Sequence, residues 1–122
     1  MMKKVLVVDD DRDILTVVKI LLSMHGFEVE AISRWEEIFI KTDAFSPDII
    51  LLDVALGGQD GRLLCKQLKT AEKTKRIPIV LFSANHGILE TYSDFLADDF
   101  IAKPFDIDNL LDKIKMYMPS RN

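Results

Sequence analysis

DIILLD, residues 48–53, is the stretch on which the fold turns. Four consecutive aliphatic residues stand between two aspartates, with no polar residue among them to mark a wet side. A strand with one solvated face alternates apolar and polar residues, whereas a strand covered by helices on both faces is apolar throughout. The stretch therefore predicts the central strand of a parallel sheet. It also places Asp53 at the end of that strand, where a carboxylate is costly unless it has a use.

Outward from this stretch, apolar runs and helical periods alternate in both directions. Toward the N-terminus, VLVV (5–8) predicts a strand. A helical period follows through Ile14, Leu15, Val18, Leu21 and Leu22 and closes at HGF, where Gly26 suits a left-handed residue and His25 complements the helix dipole. FEVEAI (27–32) alternates as a strand with one less-buried face, and SRWE (33–36) supplies a capping box, Ser33 with Glu36, for a second helix. Toward the C-terminus, DGRLLCKQLKTAEK predicts a helix with Asp60 as its cap and Cys65 packed beside Leu64 and Leu68. IPIVLFS (77–83) is a strand with Pro78 tolerated only near its start. A helix within about 87–96, the short strand FIA (100–102) and a helix from about Asp106 to Met118 complete the series. Five strand–helix repeats predict an α/β domain, with right-handed crossovers placing helices on both faces of a parallel sheet. Ligands of such sheets bind beyond the carboxyl ends of the strands.

The chain has 122 residues, enough for one domain with one sheet, and its 48% hydrophobic content can fill a core. No apolar run approaches the length of a membrane span, and MMKK leads into a strand without a leader-like segment. A single cysteine forms no internal disulfide and fits a reducing compartment, so a cytoplasmic protein is expected. The net charge of −4 offers no general attraction to nucleic acid or anionic lipid. The basic run KQLKTAEKTKR (66–76) reads as the solvated face of a helix and the loop after it. Neither direct nucleic-acid binding nor membrane association is expected.

The predicted strand ends carry the chemistry. The first ends in Asp9 and Asp10, the third in Asp53, the fourth in Ser83 and the fifth at Lys103. If the strands are neighbours, three carboxylates, a hydroxyl and an ammonium share one crevice. Close carboxylates raise one another's pKa unless a cation intervenes, and an all-oxygen ligand set suits Mg²⁺. Neither histidine nor Cys65 falls there, which excludes a zinc set, and no glycine-rich phosphate loop is present. These groups are what phosphoryl transfer onto a carboxylate requires: an ion and Lys103 to neutralise the phosphoryl oxygens, and Asp53 to attack in line. For the run Asp9–Asp11 two readings are open, solvated residues that begin a helix or an assembly that holds a cation.

Taken together, VLVVDDD, PDIILLDVALGGQDG, IPIVLFSA and DDFIAKPF resemble the receiver domain of bacterial two-component response regulators, over about Lys3 to Tyr117. The resemblance implies a doubly wound, flavodoxin-like (βα)5 fold with strand order 2-1-3-4-5, and residues 1–122 as a single receiver domain. Carried over by position, it implies Asp9 and Asp10 as the acidic pair for Mg²⁺ and Asp53 as the phosphoacceptor, and it gives Asp11 no role, which leaves that residue as a solvated helix start. It further implies the main-chain carbonyl of Ala55 as a metal ligand, Ser83 as the switch hydroxyl, Lys103 before a cis proline, and Phe100 as the switch aromatic. The implied partners are a histidine kinase or phosphotransfer protein and a downstream protein met by the fourth helix, fifth strand and fifth helix. The implied state is a monomer or a phosphorylation-dependent dimer.

Three departures from the family pattern stand out. Gly57 replaces the usual proline, which frees the loop after Asp53, and Leu96 replaces a common glycine before the fifth strand. Ala55 and Asn85 occupy the positions that tune hydrolysis of the acyl phosphate in the family. Two other readings are open. A Mg²⁺-dependent phosphohydrolase working through an aspartyl-phosphate would want an acid/base aspartate where Ala55 stands, and would turn over phosphate esters. An unphosphorylated binding module would not label with acetyl phosphate. The last predicted helix stops near the end of the sequence with no helix-turn-helix after it, so a receiver acting alone, or one excised from a longer protein, is expected.

Overall fold

The computed structural model describes residues 2–118. Its middle strand is β3 (Ile49–Asp53), buried at every position, as an uninterrupted apolar run requires. Around it, β1 (Lys4–Val8), β2 (Glu28–Ile32), β4 (Ile79–Ser83) and β5 (Asp99–Ala102) complete one parallel sheet in the order β2-β1-β3-β4-β5. The connecting helices are α1 (Arg12–Met24), α2 (Ile38–Phe45), α3 (Gly61–Thr70), α4 (His86–Leu89) and α5 (Ile107–Tyr117).

The sheet separates two apolar layers. Val5, Val7, Ile49, Leu51, Val80 and Phe82 face α1 and α5, meeting Leu15, Val18, Leu22, Leu110 and Ile114. The alternate residues Leu6, Val8, Ile50, Leu52, Ile79 and Leu81 face α2 and α3, meeting Ile38, Phe45, Leu64 and Leu68. Each fully buried aliphatic side chain contributes roughly 1.5–3 kcal/mol by leaving water. Cys65 lies wholly inside the second layer, and burial pushes its thiol up to about 12.

Local signals fix most helix ends. The Asp11 carboxylate accepts from the Asp13 and Ile14 N–H groups at 2.9 and 3.4 Å, so the third aspartate of the acidic run is the cap of α1. Asp60 caps α3 and Asp106 caps α5 in the same manner. Gly26 follows α1 with φ +89°, and His25 Nδ1 lies 2.8 Å from the Leu21 carbonyl oxygen.

Two helices depart from the sequence pattern. The expected capping box of Ser33 and Glu36 does not form: a 3₁₀ turn, Trp35–Glu37, precedes α2, and no side chain caps either. Trp35, partly buried, packs against the α2/α3 layer, a contact that competes with a cap worth about 1 kcal/mol. The helix expected over 87–96 is two pieces, the four-residue α4 and a 3₁₀ turn at Tyr92–Phe95. Gly87 weakens its first turn, and Thr91 turns both its N–H and its hydroxyl onto the Ile88 carbonyl, tightening the chain out of α geometry. Leu96 then adopts φ +67°, the conformation glycine reaches without a Cβ clash.

Candidate functional site

Parallel register brings the strand ends level. Val8 pairs with Leu52, Asp53 with Phe82 and Ser83 with Ala102, so Asp9, Asp53, Ser83 and Lys103 emerge along one edge. Alternation then sorts them: Asp9, Asp53 and Lys103 continue the rows that face α1 and α5, and Lys103 Nζ sits 4.9 Å from the centroid of the Phe82 ring. Ser83 continues the opposite row, together with Phe100, which packs on the α2/α3 layer and pairs with Leu81.

Asp9 is fully buried yet well satisfied. Its Oδ1 accepts from the Asp11 N–H at 2.9 Å and its Oδ2 from Lys103 Nζ at 2.8 Å. Lys103 Nζ also lies 3.4 Å from Asp53 Oδ1, so one ammonium is shared by two buried carboxylates. Burial, and after it the Asp9 carboxylate, push the Asp53 carboxyl up to about 7 despite the attraction of Lys103. Asp10 is exposed, and ligand oxygens of Asp9, Asp10 and Asp53 lie within 4.8 Å of one another. Three hard oxygen donors that repel one another, beside a single cation, fit a divalent ion of the Mg²⁺ type.

The loop after β3 closes one side of the crevice. Leu56 N–H donates to the Gln59 carbonyl and Gly61 N–H to the Val54 carbonyl, pairing Ala55 with Asp60; the Ala55 carbonyl takes part in neither bond. Gly57 and Gly58 have φ +51° and +95°, which a proline could not adopt, and Gly57 lies beside the Asp10 carboxylate. Ser83 is buried and its Oγ accepts from the Asn85 N–H at 3.0 Å. The Lys103 N–H donates to the Ser83 carbonyl, and the Lys103–Pro104 peptide is cis. Phe100 stacks at 5.0 Å against Tyr92, with Lys113 Nζ 5.7 Å from its ring and paired to Asp99 at 2.8 Å.

All the residues singled out from sequence except Phe100 thus stand at or beside one crevice, with Phe100 one row away on β5. Two residues escaped that reading. A Cβ at Gly61 would overlap the Asp53 carbonyl, so α3 begins directly on the backbone of Asp53. Arg62 binds Asp60 through two nitrogens and reaches Thr91, 29 residues further on. A glycine directly after the cap Asp60 is the signal that could have singled out Gly61; nothing local announces Arg62. An apolar groove of about 530 Å³, lined by Ile14, Val17, Leu21, Pro104, Phe105 and Ile107, adjoins Lys103. A second depression of about 590 Å³, between Phe39 and Ile77, lies at the opposite end of the sheet from the carboxylates.

Residues 5–115 match the response regulator receiver domain family, and the chain belongs to it. It is 32% identical over 117 residues to the phosphate regulon transcriptional regulatory protein PhoB of Rhizobium meliloti, covering 94% of this chain and 52% of that protein. It is 37% identical over 110 residues to the alkaline phosphatase synthesis transcriptional regulatory protein PhoP of Bacillus subtilis, covering 86% of this chain and 44% of that protein. The chain spans about half the length of these relatives. A putative response regulator from Chloroflexus aurantiacus has the same fold, with a TM-score of 0.91, 28% identity, and coverage of 98% of this chain and 100% of that one. The chain is therefore a receiver domain of the two-component class. Among its described residues no helix is long and apolar enough to cross a membrane.

Proposed function

We propose that this receiver, residues 1–122 acting as one unit in the cytoplasm, takes a phosphoryl group onto Asp53 from the phosphohistidine of a histidine kinase or phosphotransfer protein. The observation that carries this reading is the meeting of Asp9, Asp10 and Asp53 within 4.8 Å, with Lys103 Nζ against two of them. Asp9, Asp10, Asp53 and the Ala55 carbonyl would hold Mg²⁺, which when bound supplies positive charge for the phosphoryl oxygens. An Asp53 oxygen forms the new bond to phosphorus as the phosphorus–nitrogen bond breaks and the imidazole departs. Lys103, anchored by Asp9, keeps an ammonium beside the transferred group. The apolar groove flanking Lys103 gives the donor protein a surface continuous with the acceptor. The chain promotes its own phosphorylation and dephosphorylation, and Ala55 leaves no carboxyl two residues beyond Asp53 to act as a hydrolase acid.

The added phosphoryl brings about −1.5 to −2 charges and new acceptor oxygens. Ser83, on the neighbouring strand end, turns its hydroxyl proton to the phosphoryl group, its Oγ still free to accept from the Asn85 N–H. The segment after it follows, and Phe100 changes its packing, altering the face of α4, β5 and α5 offered to a downstream partner. Acetyl phosphate with Mg²⁺ should add one phosphoryl group by mass. Asp53→Asn or chelation of the metal should abolish the addition; undiminished labelling of the variant would refute the assignment.

A further inference from the structure

We infer that Arg62 is a positioning residue that holds the segment after α4 in the arrangement of the unphosphorylated domain, in which Ser83 Oγ accepts from the Asn85 N–H, and so sets how readily the domain switches. The inference rests on Ser83 being the switch hydroxyl.

Arg62 follows Gly61, which is packed on the backbone of Asp53 and donates its N–H to Val54 at 2.7 Å. Its guanidinium is engaged on three sides. Nε and Nη2 grip the Asp60 carboxylate at 3.1 and 2.8 Å, Nη1 donates to Thr91 Oγ1 at 3.1 Å, and the plane lies 4.8 Å from the Phe95 ring centroid. An ordinary surface pair between Arg62 and Asp60 needs only the first of these. The other two join the start of α3, which cannot move without Asp53, to both ends of the Tyr92–Phe95 turn.

A run of bonds leads from that tether to the switch. Thr91 Oγ1 donates to the Ile88 carbonyl at 2.7 Å, Ile88 N–H to Asn85 Oδ1 at 3.2 Å, and Asn85 N–H to Ser83 Oγ at 3.0 Å. A four-residue helix has little stability of its own, so tethers of this kind decide where it lies. Ser83 Oγ can go on accepting from the Asn85 N–H while its own hydroxyl donates, so when it moves toward a group on Asp53 the residues bonded to it through Asn85 must follow. Arg62 binds the arrangement in which they have not. A contact made in one of two states shifts the equilibrium toward that state.

The test is an NMR titration of the full chain with beryllofluoride and Mg²⁺, for wild type, Arg62→Met and Thr91→Val. Both variants should bind the phosphoryl mimic about three- to tenfold more tightly, a sign opposite to that of simple damage. Without the mimic, their amides over residues 86–97 should already lie part-way toward the wild type's bound positions. Affinities within twofold of wild type, or weaker, while residues 86–97 of the wild type respond, would overturn the role of Arg62 alone. A wild type whose shifts stay in the crevice would overturn the Ser83 reading, and this inference with it.

Discussion

At Asp53 a single carboxyl is caught between opposing neighbours, and its pH behaviour follows. An unfolded aspartate ionises near 3.8, whereas the folded Asp53 does so at about 7 because burial and Asp9 outweigh Lys103. Between those values the folded chain keeps a proton that the unfolded chain has lost, so stability from this group falls as pH rises from about 4 to about 7 and is level above. Urea unfolding in EDTA should show wild type losing stability over that window relative to Asp53→Asn; parallel curves would refute the shift. Gly61 makes a second residue-scale prediction. With the Asp53 backbone in the way of any Cβ, Gly61→Ala should destabilise by about 1–3 kcal/mol, measured by urea unfolding, and should slow labelling by acetyl phosphate. Of the acidic run, the family resemblance set Asp9 and Asp10 apart from Asp11, and the structure makes Asp11 the cap of α1. Arg62 left no local sign, since its partners Thr91 and Phe95 are remote in the chain.

Among the elements, the strands were the most legible, because a buried parallel strand is written in consecutive apolar residues and little else competes with them. Helices α2 and α4 were less so. The signal at Ser33 and Glu36 was a real local preference, overruled by the packing of Trp35. The segment after Ser83 lacks a strong apolar stripe and takes its shape from hydroxyl bonds and Arg62, which no periodicity records. Leu96 makes a clean test at this scale. It is held at φ +67° and its side chain is 45% exposed, so a glycine would relieve a Cβ clash and lose little packing. Leu96→Gly should raise stability by about 0.5–1 kcal/mol, the relief being reduced by the extra freedom of unfolded glycine. A lower melting temperature would show that the leucine is kept for its contacts.

For the molecule as a whole, the α/β class was legible from the alternation of elements alone, whereas the strand order, which decides that the strand ends meet, came with the family resemblance. Which faces those ends present was legible from neither, because register and alternation emerge only once the strands are paired. The carboxylate cluster predicts a stability that answers to metal: millimolar Mg²⁺ should raise the melting temperature of wild type by mass action, and more at pH 8 than at pH 6, where Asp53 holds a proton. Asp10→Ala, relieved of one repulsive partner, should respond less; an equal response would remove Asp10 from the ligand set.

The sheet that divides the two apolar layers also divides the labour. Asp9, Asp53 and Lys103 continue the rows on the α1/α5 side, while Ser83 and Phe100 continue those on the α2/α3 side. The proposed acceptor and the hydroxyl and ring proposed to respond to it thus stand on opposite sides of one partition five strands wide. On that proposal, changes confined to the α1/α5 layer would bear first on the ion and the donor, and changes confined to the α2/α3 layer first on the response.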